Sequence, residues 1–196
     1  HMALAREVES RAAVLLKNDP VEGAPILPIV PEETHRLAVF GKLAAMANTG
    51  DHGSSDVHSP YVITPLDGLR EAFGEEKVTY SEETDRQSVD AIARQADVAI
   101  VVVGYTASDE GEFVDGSIAE RQDLLALYPE PKNASEKSMK DEVLAKMAGG
   151  ASIVGSKTAG GDRSDLHLHP EDVELIHHVA RANKRTVVIV VSAGAV

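Results

Sequence analysis

The chain has no cysteine and no tryptophan among its 196 residues. Without cysteine there can be no disulfide, no thiolate nucleophile and no zinc-thiolate site. Aromatic residues are only 4% of the chain, four tyrosines and three phenylalanines, so few flat rings are on offer as stacking platforms for a ligand. Basic residues are outnumbered: 19 Lys and Arg against 32 Asp and Glu give a net charge of -13. Such an acidic balance argues against nucleic acid and against an anionic membrane surface as partners. No apolar run approaches the roughly 18 residues of a membrane span. No stretch reads as a signal peptide, and the compartment stays open.

What is present is a globular composition, 43% hydrophobic, at the length of one ordinary domain. Ala3 to Leu16 reads as a helix with Val8, Ala12, Leu15 and Leu16 on one face. Pro20 to Pro31 is a proline-punctuated connector, so residues 1–34 form a helix and linker and residues 35–196 the main domain. Leu37 to Phe40 is a short buried strand closed by Gly41. Thr64 caps a helix that starts at Pro65 and buries Leu66, Leu69 and Phe73. A second strand covers Val78 to Tyr80, and a helix with Val89, Ile92 and Ala93 on one face follows from Asp85.

Asp97 to Gly104, "DVAIVVVG", is continuous apolar sequence. That predicts a strand covered on both faces, hence a parallel sheet. Pro170 to Asn183 is predicted to be a helix with Val173, Ile176, Val179 and Ala180 inward, and Thr186 to Gly194 another fully buried strand. The alternation predicts an α/β fold: an open, mostly parallel sheet with helices on both faces. Ser117 to Ala159 breaks the rhythm and reads as an insertion or lid, opening with the helical patch "AERQDLLALY" and continuing as a polar, lysine-rich stretch. The chain stops two residues after Gly194, straight off a central strand, which leads us to expect C-terminal truncation, exposed apolar area and self-association.

In an open parallel sheet, ligands gather at the carboxyl ends of the strands. Three polar loops are placed to meet there: Asn48 to Tyr61, Gly104 to Phe113, and Ala159 to Pro170. The first holds Asp51 and His52, but lacks metal-ligand spacing and a phosphate-loop Lys-Ser or Lys-Thr. No metal or cofactor is expected. The second packs Asp109, Glu110 and Glu112 around Gly111. It reads either as a solvated turn or as a general acid, Glu110, whose proton affinity is raised by the carboxylates beside it, with Gly111 allowing close backbone approach. The third carries Asp162 and Arg163; the arginine either pairs with a loop acid, grips a hydroxyl-rich ligand or forms a surface ion pair.

"AVLLKND", "GDHGSSDVHSPYVITPLDGL", "DVAIVVVGYTASDEGEF" and "GGDRSDLHLHPEDVELI" together resemble the family 3 glycoside hydrolases, β-glucosidase-like enzymes, and specifically their second, α/β sandwich domain. The resemblance runs from about Ala5 to Val196 and is weaker across Ser117 to Ala159. It implies a retaining exo-glycosidase acting on glucosides or oligosaccharides. In that family the nucleophile is an Asp on a (β/α)8 barrel, and the acid/base is often a Glu from the sandwich. Glu110-Gly111 matches the family's Glu-Gly pair and Gly161-Asp162-Arg163 its "GDR". Glu110 is thus the implied catalytic acid, with Glu112 as its substitute. Asp109, Gly111, Glu112, Asp162, Arg163, Asp51 and His52 are expected on the substrate side. No barrel precedes Ala3, so the isolated chain is expected to be inactive. The competing expectation is a non-catalytic carbohydrate-binding or domain-interface module with a solvated acidic loop.

Overall fold

The computed structural model describes residues 1–50, 57–82, 85–110, 123, 126–127, 129–148, 163, 166–194 and 196. Its centre is a four-stranded parallel sheet of β1 (Leu37–Phe40), β2 (Val78–Ser81), β3 (Val98–Gly104) and β4 (Thr186–Val191), in spatial order β2-β1-β3-β4. Side chains alternate across the sheet because successive residues of a strand point to opposite faces. Val39 of β1 and Val98, Ile100 and Val102 of β3 enter one core. Phe40 of β1 and Ala99, Val101 and Val103 of β3 enter the other.

Helix α2 (Pro65–Phe73) covers the first face through Leu66, with Leu69 and Phe73 partly buried beside it. Its start is built from local chemistry: the Thr64 hydroxyl accepts from the Asp67 N–H, and the Asp67 carboxylate accepts from the Thr64 N–H. Helices α3 (Arg86–Gln95) and α6 (Pro170–Ala182) cover the second face with Val89, Ala93, Leu175 and Val179. The Asp85 carboxylate caps α3 by accepting from the Gln87 and Ser88 N–H groups. All seven residues of β3 are buried, as a strand covered on both sides must be.

Three expectations need correction. Strand β4 is not fully buried: Val188, Ile189 and Val190 are each more than a third exposed, because among the described residues β4 has a paired neighbour on one side alone, and Val187 and Val191 are its members that pack into a core. On α6 the inward face is Asp172, Leu175, Ile176 and Val179, while Val173 and Ala180 are exposed. Helix α1 (Met2–Ala12) ends before Leu15 and Leu16, and none of its residues is buried. Within the lysine-rich stretch lies a helix, α5 (Ala134–Ala148). It is filled with strong helix formers, and its start is closed by Asn133, whose side-chain oxygen accepts from the Glu136 N–H. Most of "AERQDLLALY" lies outside the described residues.

Candidate functional site

The chain leaves β1 toward β2 on one side and leaves β3 toward β4 on the other. The strand order therefore reverses between β1 and β3, and a crevice outside their carboxyl ends is where an open α/β sheet places a ligand. Glycines set both exits. Gly41, just after β1, has φ +94° and Gly104, the last residue of β3, has φ +127°. A Cβ on Gly41 would lie 2.1 Å from the Val102 carbonyl oxygen, and one on Gly104 would lie 2.0 Å from that of Val191. The backbone must pass that closely over its neighbour to turn into the loops, and only glycine permits it.

The loop after β1 meets the loop after β3 across this crevice: the Asn48 side-chain amide donates to the Tyr105 carbonyl at 2.9 Å. Thr106 then starts a single helical turn, α4 (Ala107–Glu110). Asp109 closes that turn, its carboxylate accepting from the Thr106 N–H (2.8 Å) and hydroxyl (3.0 Å). Its other oxygen lies 3.1 Å from His169 Nε2. Burial, the largest influence, pushes the Asp109 carboxyl up, but the Thr106 hydrogen bonds, with His169 and Lys42 nearby, outweigh it and hold the carboxyl below its ordinary value. Asp109 is thus bound into its own turn.

Glu110 faces elsewhere. Its Oε1 lies 2.9 Å from Arg163 Nε and 3.4 Å from the Ser192 hydroxyl. Its Oε2 accepts from the Ala193 N–H at 2.8 Å. Both partners of the ion pair are largely enclosed, with side chains 17% (Arg163) and 13% (Glu110) exposed. Arg163 also lies over the Tyr105 ring, its guanidinium carbon 4.3 Å from the ring centroid. So the second and third polar loops meet at Glu110 and Arg163, and the start of the first reaches them through Asn48. Asp51, His52, Gly111, Glu112 and Asp162 lie outside the described residues.

Beneath the loop sits Asp172, in the first turn of α6 and almost wholly buried. Its carboxylate accepts from the Gly104 N–H at 3.2 Å and so anchors the kink at the end of β3. Burial, the largest influence, pushes this carboxyl above its ordinary value; the Gly104 bond, Lys42 and His169 oppose the rise without cancelling it. Stability linked to this group is fully present below the unfolded carboxyl pKa and is lost as pH rises through the raised folded value. Asp172→Asn keeps an acceptor for Gly104 and cannot ionise. We expect it to be more stable than the native chain at pH 7, with the gap closing toward pH 4. Asp172→Ala strands the Gly104 N–H and should lose about 1–3 kcal/mol. Denaturant melts from pH 4 to 8 check both; identical pH dependence in the Asn variant would refute the assignment.

Sequence reasoning had not singled out Tyr105, Asn48, Asp172, Ser192 or Ala193 as site residues. Tyr105 carried a signal, being one of seven aromatics and placed directly after the most buried strand. Asp172 carried one too, since Asp172, Leu175, Ile176 and Val179 follow helical spacing as well as the set built on Val173 does. Ser192 and Ala193 act through a hydroxyl and a backbone N–H, and no residue type marks them.

An open parallel sheet with helices on both faces and an enclosed Glu–Arg pair at its carboxyl edge is an α/β domain. The chain belongs to the glycosyl hydrolase family 3 C-terminal domain family, whose model matches residues 13–196. It is 27% identical to a β-glucosidase of Bacteroides ovatus over 197 aligned positions, covering 100% of this chain and 23% of that protein. It is 39% identical to a β-glucosidase of Rhizobium radiobacter over 71 residues, 36% of this chain and 8% of the relative. Among solved structures, the β-D-glucoside glucohydrolase of Trichoderma reesei superposes with a TM-score of 0.62 at 24% identity, covering 100% of this chain and 24% of that one. That likeness shows the shared fold. The chain spans at most about a quarter of the length of these relatives.

Proposed function

We propose that this domain supplies the general acid/base of a retaining, β-glucosidase-like exo-glycosidase, with Glu110 as the proton carrier. The observation that carries this reading is the position of Glu110: on the loop after β3, at the strand-order reversal, held 2.9 Å from Arg163. In the first step Glu110 protonates the leaving glycosidic oxygen; in the second it takes a proton from water. Retention needs a second carboxylate about 5–5.5 Å away as nucleophile. On this reading that carboxylate comes from a (β/α)8 barrel outside this chain, and so does most of the pocket for the sugar. Arg163 fixes the acid and Asp109 shapes its turn. Asp51, His52, Gly111, Glu112 and Asp162 are proposed as the substrate-side rim.

The test has two parts. The isolated chain should not turn over an aryl β-glucoside, and turnover that disappears in Glu110→Gln would sink the division of the site. In the whole enzyme that carries this domain, Glu110→Gln should lose activity and regain part of it with azide, which needs no general base to attack. A second reading has an observation of its own. Both oxygens of Glu110 already accept bonds within the domain, as they would in a non-catalytic interface module. Loss of stability in Glu110→Gln with activity intact would favour that module.

A further inference from the structure

We infer that Tyr105 is the positioning residue that sets the Glu110 carboxylate, acting through Arg163; this rests on the acid/base reading of Glu110. Tyr105 is 3% exposed and is held at every polar atom. Its N–H donates to the Val191 carbonyl at 2.9 Å. Its carbonyl accepts from Asn48. Its hydroxyl donates to the His167 carbonyl. The backbone of Tyr105 is therefore tied to β4 and to the loop after β1, and its ring, through the hydroxyl, to the chain entering α6.

Two side chains rest on that fixed ring. Arg163 lies over its face, and His169 meets it edge-on with centroids 5.3 Å apart and planes at 63°. Each of the two also holds one carboxylate of α4: Arg163 holds Glu110 and His169 holds Asp109. The ring is thus the common support of both acids. Without its stack the Arg163 guanidinium loses the flat surface that sets its plane toward Glu110, and the geometry of the Glu110 carboxylate, also held by Ala193 and Ser192, shifts with it. A tyrosine that merely filled the core would affect stability and leave the chemistry alone. One that positions the acid must affect most the substrates that need the acid most.

The experiment uses the whole enzyme that carries this domain and a set of aryl β-glucosides with graded leaving groups, from dinitrophenyl, which departs unaided, to phenyl, which needs protonation. Tyr105→Leu should lower kcat/KM, which reports the first step, about 10–100-fold for the phenyl glucoside, part of what general acid catalysis supplies, and change kcat/KM for the dinitrophenyl glucoside little. On the dinitrophenyl glucoside kcat and KM should fall together, because the second step still needs Glu110 as its base. Equal losses of kcat/KM on all leaving groups in Tyr105→Leu, alongside a graded loss in Glu110→Gln, would overturn the inference and leave the acid/base reading standing. Ungraded losses in both would overturn the reading and the inference with it. If Tyr105→Leu does not fold, Arg163→Lys carries the same test, because it keeps a cation beside Glu110 and loses the planar stack over the ring.

Discussion

Gly104→Ala is expected to lower the melting temperature of this domain by about 5–20 °C, and Gly41→Ala to do nearly as much. The reason lies in two separate strains. At φ +127° an alanine is in a region that L residues avoid, at about 1–3 kcal/mol. Its Cβ would also stand 2.0 Å from the Val191 carbonyl oxygen, well inside contact distance. That oxygen accepts the Tyr105 N–H, so β4 cannot retreat without breaking the bond that holds the site loop. Forcing such a contact into a packed interior costs another 1–3 kcal/mol or so. The sum, about 2–6 kcal/mol, is a large share of the roughly 5–15 kcal/mol that holds an ordinary domain together. Thermal melts of the two variants, with Gly23→Ala as the control, check it. Gly23 also has positive φ, but nothing lies within 4 Å of its Cβ position, so it should lose only the conformational part. A Gly104→Ala melt equal to that of Gly23→Ala would show that the close approach to Val191 is unimportant.

The sheet was legible because its strands are written in the strongest available signal. "LAVF" and "VAIVVVG" are apolar without interruption, and burial on two faces is what such runs require. Helix α2 was legible from Thr64, Pro65 and Asp67, since capping chemistry is local and needs no tertiary partner. "TVVIVV" misled for a physical reason. An apolar run reports that a strand tolerates burial, while its actual cover depends on which neighbours the topology supplies, and β4 has a paired neighbour on one side only among the described residues. The α6 error has a different source. Two helical faces were available, and the true one includes a carboxylate, Asp172, that looks wrong for a core until the Gly104 N–H is seen to need it.

In the candidate site, Asp109, Glu110 and Arg163 were legible as candidates, while the buried Asp172 and the uncharged scaffold were not. The sequence shows that Asp109 and Glu110 stand after a buried strand; it does not show that one closes a turn on Thr106 while the other crosses to Arg163, more than fifty residues away. That division changes what the acidic cluster means. Like-charge repulsion from Asp109 was the expected way to raise the proton affinity of Glu110. The structure instead commits Asp109 to Thr106 and His169, and surrounds Glu110 with donors.

For the Glu110→Gln variant of the whole enzyme, the expected result is a loss of about 10²–10⁴-fold in kcat on a phenyl β-glucoside, the usual reach of a positioned acid or base. On a dinitrophenyl glucoside the first step should survive, because that leaving group departs without a proton. The second step should then fail, since water still needs a base, and glycosyl-enzyme should accumulate as an initial burst. Azide should raise the steady rate on the activated substrate and release a glycosyl azide of retained configuration. Glutamine will also disturb the domain itself. Its amide oxygen can accept from either Arg163 or the Ala193 N–H, while its NH2 faces the other donor, so about 1–3 kcal/mol of stability should go with the activity. The two effects separate cleanly. A structural loss acts alike on every substrate and is not repaired by a nucleophile; loss of an acid/base is graded by leaving group and is. Uniform loss without azide rescue would move the proton carrier away from Glu110, with Glu112→Gln as the next variant to assay by the same grading.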